Sequence, residues 1–343
     1  MELLENRASA HQTLFNLEHR LSKNPTERSS YINFLDEYFN LGRMIPASIP
    51  SKYLLLHHHP VFKISNGGTK VRVAFNGSAP SQLKSSLNDL MLTGPKLQKP
   101  LLGLLINFRK YLVALCADVR MIYRQIRVRP QDCKYQHIFW RLSESDNILE
   151  FELTTVTHGL KSSPFLAQRV TAQLASDEGS YYPLALQGLQ SSIYIDDILL
   201  TGASSVDQAK ILKSELINLL QGMGFELRKW VSGHPKVLEH ESLERKESYV
   251  VFNTEDARVK ILGLLWELKD DNFRFHVSGF NNTPTKRNIL AYVAKIYDPL
   301  GFLAPVVFHL KWFLQQLWLI KLAWDDYLPA ELCTSWLFFY FRT

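Results

Sequence analysis

Ser191-Ser-Ile-Tyr-Ile-Asp-Asp-Ile-Leu-Leu200 sets two adjacent aspartates between short apolar arms. Arms of this length and composition read as strands, and the polar pair between them predicts a hairpin with Asp196 and Asp197 at its tip. Upstream, Tyr111-Leu-Val-Ala-Leu-Cys-Ala-Asp118 is a short apolar run ending in one carboxylate. That is the pattern of a buried strand delivering Asp118 to a sheet edge. A carboxylate there is costly unless a cation neutralises it. Clustered carboxylates suit a hard divalent ion with oxygen ligands, Mg²⁺ or Mn²⁺. Two such ions clamp the attacking and leaving oxygens of a phosphoryl transfer. Three unrelated surface turns are the bland alternative, since Tyr-x-Asp-Asp recurs by chance on the order of once per 10⁴ positions. Its placement between apolar arms, downstream of a lone-Asp strand, favours the site.

Outward from this stretch, residues 8–42 read as helices: Leu14, Leu17 and Leu21 keep helical spacing, Pro25 interrupts, and Tyr31, Phe34, Leu35, Tyr38 and Leu41 resume it. Pro46 and Pro50 mark a linker. In Lys70–Ser78, Val71, Val73 and Phe75 alternate with Arg72, Ala74 and Asn76, a half-buried strand. Leu101–Lys110 reads as a helix. Tyr135–Leu142 and Leu149–Val156 flank a polar turn and predict a hairpin. A helix follows from Pro164 to Ala175, and another over 205–221 with Leu212, Leu216, Leu219 and Leu220 on one face. Phe225–Trp230 and Val259–Trp266 read as strands, and from Pro284 onward the pattern is helical.

The chain has 343 residues, 46% hydrophobic and 21% charged, which excludes wholesale disorder and suits about two domains at roughly 150 residues each. Lys and Arg number 39 against 33 Asp and Glu, a net +6, which permits nucleic acid as a partner without demanding it. Three scattered cysteines form neither a disulfide framework nor a CxxC zinc pair and suit a reducing compartment. The apolar tract Phe302–Trp324 carries Lys311 and Lys321, so a buried helix is expected rather than a membrane span. His57-His-His59 does not read as a metal site, because consecutive strand side chains alternate faces; a template-side surface is expected there.

Tyr194-Ile-Asp-Asp197 resembles the polymerase box of reverse transcriptases, and Ala117-Asp-Val-Arg-Met-Ile-Tyr-Arg-Gln-Ile126 their first-aspartate motif. Thr155-Val-Thr-His-Gly-Leu-Lys-Ser-Ser-Pro-Phe165 resembles the Gly-x-x-x-x-Pro helix entry. Ser86-Leu-Asn-Asp-Leu-Met-Leu-Thr-Gly-Pro95, Gly224-Phe-Glu-Leu-Arg-Lys-Trp230 and Ile296-Tyr-Asp-Pro-Leu-Gly-Phe-Leu-Ala-Pro305 are similar to the BEL/Pao-type LTR retrotransposons. The likeness runs from about residue 10 to 330, with the motifs in the family's order.

The resemblance implies an α+β right-hand polymerase with a ferredoxin-like palm, discontinuous fingers (43–95 plus 126–157) and a thumb-like or connection-like helical C-terminal region. The expected organisation is an N-terminal helical extension over 1–42, fingers and palm over 43–268, and a truncated thumb-like region over 269–343. By resemblance Asp118, Asp196 and Asp197 hold two Mg²⁺, with Mn²⁺ as substitute. Arg72 grips the triphosphate beside Lys70, the alternative for each being a solvated surface charge. Tyr123 underlies the sugar and excludes a 2′-OH, unless it is a core tyrosine. His158 hydrogen-bonds the nucleotide or merely packs. Lys229, or its neighbour Arg228, protonates the pyrophosphate leaving group, an exposed lysine being the alternative. Gly263 resembles the primer-grip turn. The implied partners are an RNA or DNA template with primer and deoxynucleoside triphosphates, with no membrane. The expected location is the cytoplasm, in a virus-like particle for an active element, with the nucleus as the alternative.

Two departures stand against this pattern. Asn76 occupies a position where relatives carry Asp and supplies no charge to align Arg72. No RNase H or integrase region of the kind a full-length polyprotein carries is expected within the chain. The implied activity is RNA-directed DNA polymerase; the alternative is a weak or inactive retroelement relic that only binds nucleic acid.

Overall fold

The computed structural model describes residues 6–65, 68–82, 84–141, 143, 145–194, 198–238, 258–275, 277, 279–280 and 282–340. Helices α1 (Arg7–Ser22) and α2 (Pro25–Asn40) bury the faces that their periodicity marks, Leu14, Leu17 and Leu21 on one and Tyr31, Phe34, Leu35 and Tyr38 on the other. Pro25, which breaks the pattern, is the first residue of α2, where a missing N–H costs nothing, and the Asn24 side chain caps the helix by accepting from the Glu27 amide.

After β1 (Met44–Pro46), strands β2 (His57–Ser65) and β3 (Gly68–Asn76) form an antiparallel hairpin that pairs Val61 with Arg72 and His57 with Asn76. Val73 and Phe75 are buried while Arg72 and Asn76 are exposed, as strand alternation requires. The single turn α3 (Leu87–Leu90) is closed by a Ser86–Asp89 capping box. Next come α4 (Leu101–Arg109), β4 (Val113–Val119) and the one-turn helices α5 (Ile122–Gln125) and α6 (Pro130–Cys133). Strands β5 (His137–Trp140) and β6 (Leu149–Leu153) make the expected hairpin, and β1 joins it in the order β1-β6-β5. The apolar faces of α1 and α2 share one core with Val73, Phe75, Ile138, Trp140 and Phe151, so both helices are built onto the β2–β3 and β1-β6-β5 sheets.

Helices α7 (Ser163–Glu178) and α8 (Pro183–Ser192) lead into β7 (Ile193–Tyr194), β8 (Ile198–Ala203), α9 (Val206–Gln221) and β9 (Leu227–Ser232). The palm sheet has the order β7-β8-β4-β9, all neighbours antiparallel. β4 is buried on both faces, the reason for its unbroken apolar run. Val113, Leu115, Ala117 and Val119 meet the core of α7, α8 and α9. Ala114 and Cys116 meet α4 and a hairpin of β10 (Arg258–Ile261) and β11 (Leu264–Glu267), which β12 (Asn272–Arg274) extends. Asp118 shares the parity of Ala114 and Cys116 at the strand's end. The last helices, α10 (Lys286–Val293), α11 (Ala304–Leu319) and α12 (Ala330–Tyr340), close a core of their own around Phe313, Leu317 and Trp336. Among the described residues no helix is long and apolar enough to cross a membrane.

Three expectations are corrected. Val259–Trp266 is a tight hairpin rather than one strand, because Leu262 and Gly263 both take positive φ and reverse the chain. Ser191 and Ser192 end helix α8, which the sequence reading did not anticipate, so the first arm beside the aspartates is only Ile193–Tyr194. The His57-His-His59 run is not a template-side surface throughout, since His58 is buried against Tyr31 and the Phe139 carbonyl.

Candidate active site

Asp118 lies at the open end of β4, paired with Ile198 of β8 on one side and Arg228 of β9 on the other. The pairing with β9 slips by one residue between Cys116 and Asp118, so β9 carries a bulge there. Lys229 is the residue that takes up the extra length, at φ +53. A left-handed conformation is uncommon for a non-glycine residue and gathers at functional sites. Its effect is to turn the Lys229 ammonium onto Oδ2 of Asp118. Arg228, the neighbour, turns instead to Glu226, its Nε donating at 2.7 Å, while Arg120 Nη1 donates to the same carboxylate at 2.9 Å. These contacts hold the Glu226 carboxyl below the usual range, the Arg228 hydrogen bond foremost. Asp196 and Asp197 stand in sequence between β7 and β8, outside the described residues.

A cleft of about 750 Å³ opens in front of Asp118. Its walls bring together Lys70 and Arg72 of β3, Asp118, Tyr123 of α5, His158 and Lys229. Six candidates scattered over 160 residues of sequence thus border one space. His158 Nε2 donates to the Val73 carbonyl at 2.5 Å, and the ring stands edge-on to Phe75. The next residue, Gly159, has φ +96, and a Cβ there would lie 2.0 Å from the Phe75 carbonyl oxygen. Only glycine lets this loop lie flat on β3 and set His158 into the wall. Gly263 is not on the cleft wall. It turns the β10–β11 hairpin at φ +89, and the space its missing side chain leaves is filled by the Tyr297 ring, 2.3 Å from where a Cβ would stand.

The sequence reading missed one wall. Ser30, Asn33, Phe34 and Glu37 of α2 also line the cleft, as does Arg124. Polar residues along the exposed face of α2 were the available signal, but a solvated helix carries the same pattern.

The cation chemistry fits. Asp118 is a half-buried oxygen donor whose present partner is a positive charge, the Lys229 ammonium. Among the described residues no three His, Cys, Asp or Glu side chains are grouped so that they could hold a metal ion.

A carboxylate at the end of an inner strand of an antiparallel sheet, helices behind it and a two-hairpin unit across a cleft make the fold of a right-hand polymerase. Two family matches support a reverse transcriptase of the BEL/Pao type. Residues 81–230 match the model of the reverse transcriptase (RNA-dependent DNA polymerase) family, and residues 285–341 match the Pao retrotransposon-like RNaseH-like domain. The second match runs against the expectation that no RNase H region lies within the chain; its described residues form α10 to α12. A solved structure of a foamy viral protease-reverse transcriptase with double-stranded DNA is similar at a TM-score of 0.55 and 14% identity. That match covers 82% of this chain and 42% of the viral one, so the chain spans less than half of that relative's length. No curated protein matches the chain in sequence. Enzymes of this family use divalent metal ions.

Proposed function

We propose that this chain extends a primer 3′-OH on an RNA or DNA template, transferring deoxynucleotides with release of pyrophosphate. The observation that carries the reading is the single cleft that borders Asp118, Lys70, Arg72, Tyr123 and Lys229 together. Asp118, Asp196 and Asp197 would hold two Mg²⁺. Bound there, the ions supply charge stabilisation at the attacking and leaving oxygens.

The chain's own residues do the rest. Arg72, exposed on β3, offers a planar fork of donors suited to the triphosphate, with Lys70 two residues away on the same face. Tyr123 sets the depth of the sugar pocket, so that a ribose 2′-OH meets its ring. Lys229 is already at the cleft and is the proton donor for the departing pyrophosphate. Catalysis is then mainly positioning and charge stabilisation.

Primer extension on a homopolymer template with Mg²⁺ or Mn²⁺ tests the reading. Asp118→Asn and Asp197→Asn should abolish extension. Asp118→Asn should also cost at most about 1 kcal/mol in urea unfolding, since a half-exposed ion pair contributes no more. Near-normal extension by Asp118→Asn would refute the metal assignment. Template binding with no extension by the natural chain would favour a nucleic-acid-binding relic.

A further inference from the structure

Arg124 ties the helix that forms the unanticipated wall of the cleft to the turn that carries Tyr123. Arg124 follows Tyr123 on α5, a helix of only four residues. One turn does not hold itself together in water, because nucleation costs more than its first hydrogen bonds return. Ile122 and Ile126 anchor the turn to the palm core. Arg124 anchors it on the opposite side. Its guanidinium carbon lies 4.5 Å from the ring centre of Phe34 and 5.0 Å from that of Tyr38, two rings that are themselves stacked 4.9 Å apart. Its Nη1 is 3.9 Å from Oε1 of Glu37, which Arg43 also approaches at 3.3 Å. The Arg124 side chain is only 12% exposed. A guanidinium can lie flat on aromatic faces while pairing a carboxylate in its own plane, which an ammonium does not do.

We propose that Arg124 is a positioning residue for sugar selection: clamped between Phe34, Tyr38 and Glu37 of α2, it fixes the turn that carries Tyr123 and so makes the N-terminal helix part of the nucleotide site. The inference rests on the proposed nucleotide role of the cleft. It assigns Arg124 no contact with substrate; the residue acts through Tyr123.

The test is single-nucleotide insertion with matched deoxy- and ribonucleoside triphosphates, for the natural full chain, Arg124→Ala, Arg124→Lys, Phe34→Leu, Tyr123→Ala and the Arg124→Ala/Tyr123→Ala double variant. Arg124→Ala should raise the ribo-to-deoxy ratio of kcat/KM about tenfold, because a displaced ring no longer meets the 2′-OH. The change should fall on the ribonucleotide, whose kcat/KM rises, with the deoxynucleotide kcat within about threefold of the natural chain. Arg124→Lys, which keeps the charge but not the flat face, should lie between, and Phe34→Leu should shift the ratio in the same direction. The double variant should match Tyr123→Ala. An unchanged ratio in Arg124→Ala beside a raised ratio in Tyr123→Ala overturns the clamp and leaves the cleft reading standing. A lowered melting temperature with no change of ratio overturns it equally. Unchanged ratios in both, or no extension by the natural chain, overturn the cleft reading and the clamp with it. Should Arg124→Ala fail to fold, Arg124→Lys and Phe34→Leu read the same ratio.

Discussion

His58 shows how much a single buried side chain can be asked to do. Its Nε2 faces the Phe139 carbonyl at 2.8 Å, and a carbonyl only accepts, so Nε2 carries the proton. Nδ1 is then an acceptor, and the Tyr31 hydroxyl donates to it. The neutral ring is thereby defined, and burial, aided by His57 and His59, lowers its pKa to about 4, while the Phe139 bond works the other way. The unfolded chain binds this proton near pH 6.5, the folded chain only near 4. Between those values the unfolded state holds more protons, so stability falls as pH falls. The loss should be on the order of 3 kcal/mol by pH 4. Urea unfolding at pH 7 and pH 4.5 measures it, and His58→Gln should flatten that slope while lowering stability at pH 7. An equal slope in the variant would assign the acid sensitivity to other groups.

At the scale of elements, hairpin turns and bulges do the aiming. The β10–β11 turn needs Gly263 for its φ of +89 and for the Tyr297 ring packed against it. Gly263→Ala should cost about 1–3 kcal/mol through backbone strain, more with the ring in place. Urea melts of Gly263→Ala alone and with Tyr297→Ala separate the two: the double variant should recover the collision but not the strain. The end of β3 revises the expectation for Asn76. Its Oδ1 accepts from the Ser78 amide at 3.0 Å, capping the turn that leaves the strand. Arg72 is four residues away, about 13 Å along an extended strand. Asp in that place would make the same cap and remain too distant for a direct pair. Asn76→Asp should therefore leave the deoxynucleotide KM within about twofold, a result steady-state kinetics checks, and a severalfold fall would restore the charge-alignment account.

Across the whole molecule the basic stretch Arg120–Lys134 is less available to phosphate than its composition suggests. Arg120 is engaged by Glu226, Arg124 by α2, and Lys134 lies over the rings of Tyr53 and Tyr135. Arg127 and Arg129 are exposed, as is Lys134 beside its two rings. Binding of primer–template should be sequence-independent and weaken with salt, and Arg127→Ala/Arg129→Ala should reduce the slope of log K against log salt by about 2, one for each lost phosphate contact. A fluorescence anisotropy titration at several salt concentrations decides it; an unchanged slope would place the template elsewhere.

The order of helices and strands, the buried strand ending at Asp118 and the paired aspartates after Tyr194 were legible in the residues themselves. They rest on local periodicity, two for a strand and 3.6 for a helix, which neighbouring residues alone establish. Lys70, Arg72, Tyr123, His158 and Lys229 could be singled out by resemblance to a known family, yet no motif says that they border one cleft. That was decided by pairings far apart in the chain: β4 with β8 and β9, and α2 against α5. The β9 bulge that turns Lys229 rather than Arg228 onto Asp118 is one residue of slip between two strands, invisible in either alone. The Tyr297 ring over Gly263 and the Arg124 guanidinium on Phe34 and Tyr38 are contacts between residues 34 and about 90 positions apart. Such contacts exist only once loop closure has brought their elements together, so only the tertiary structure decided them.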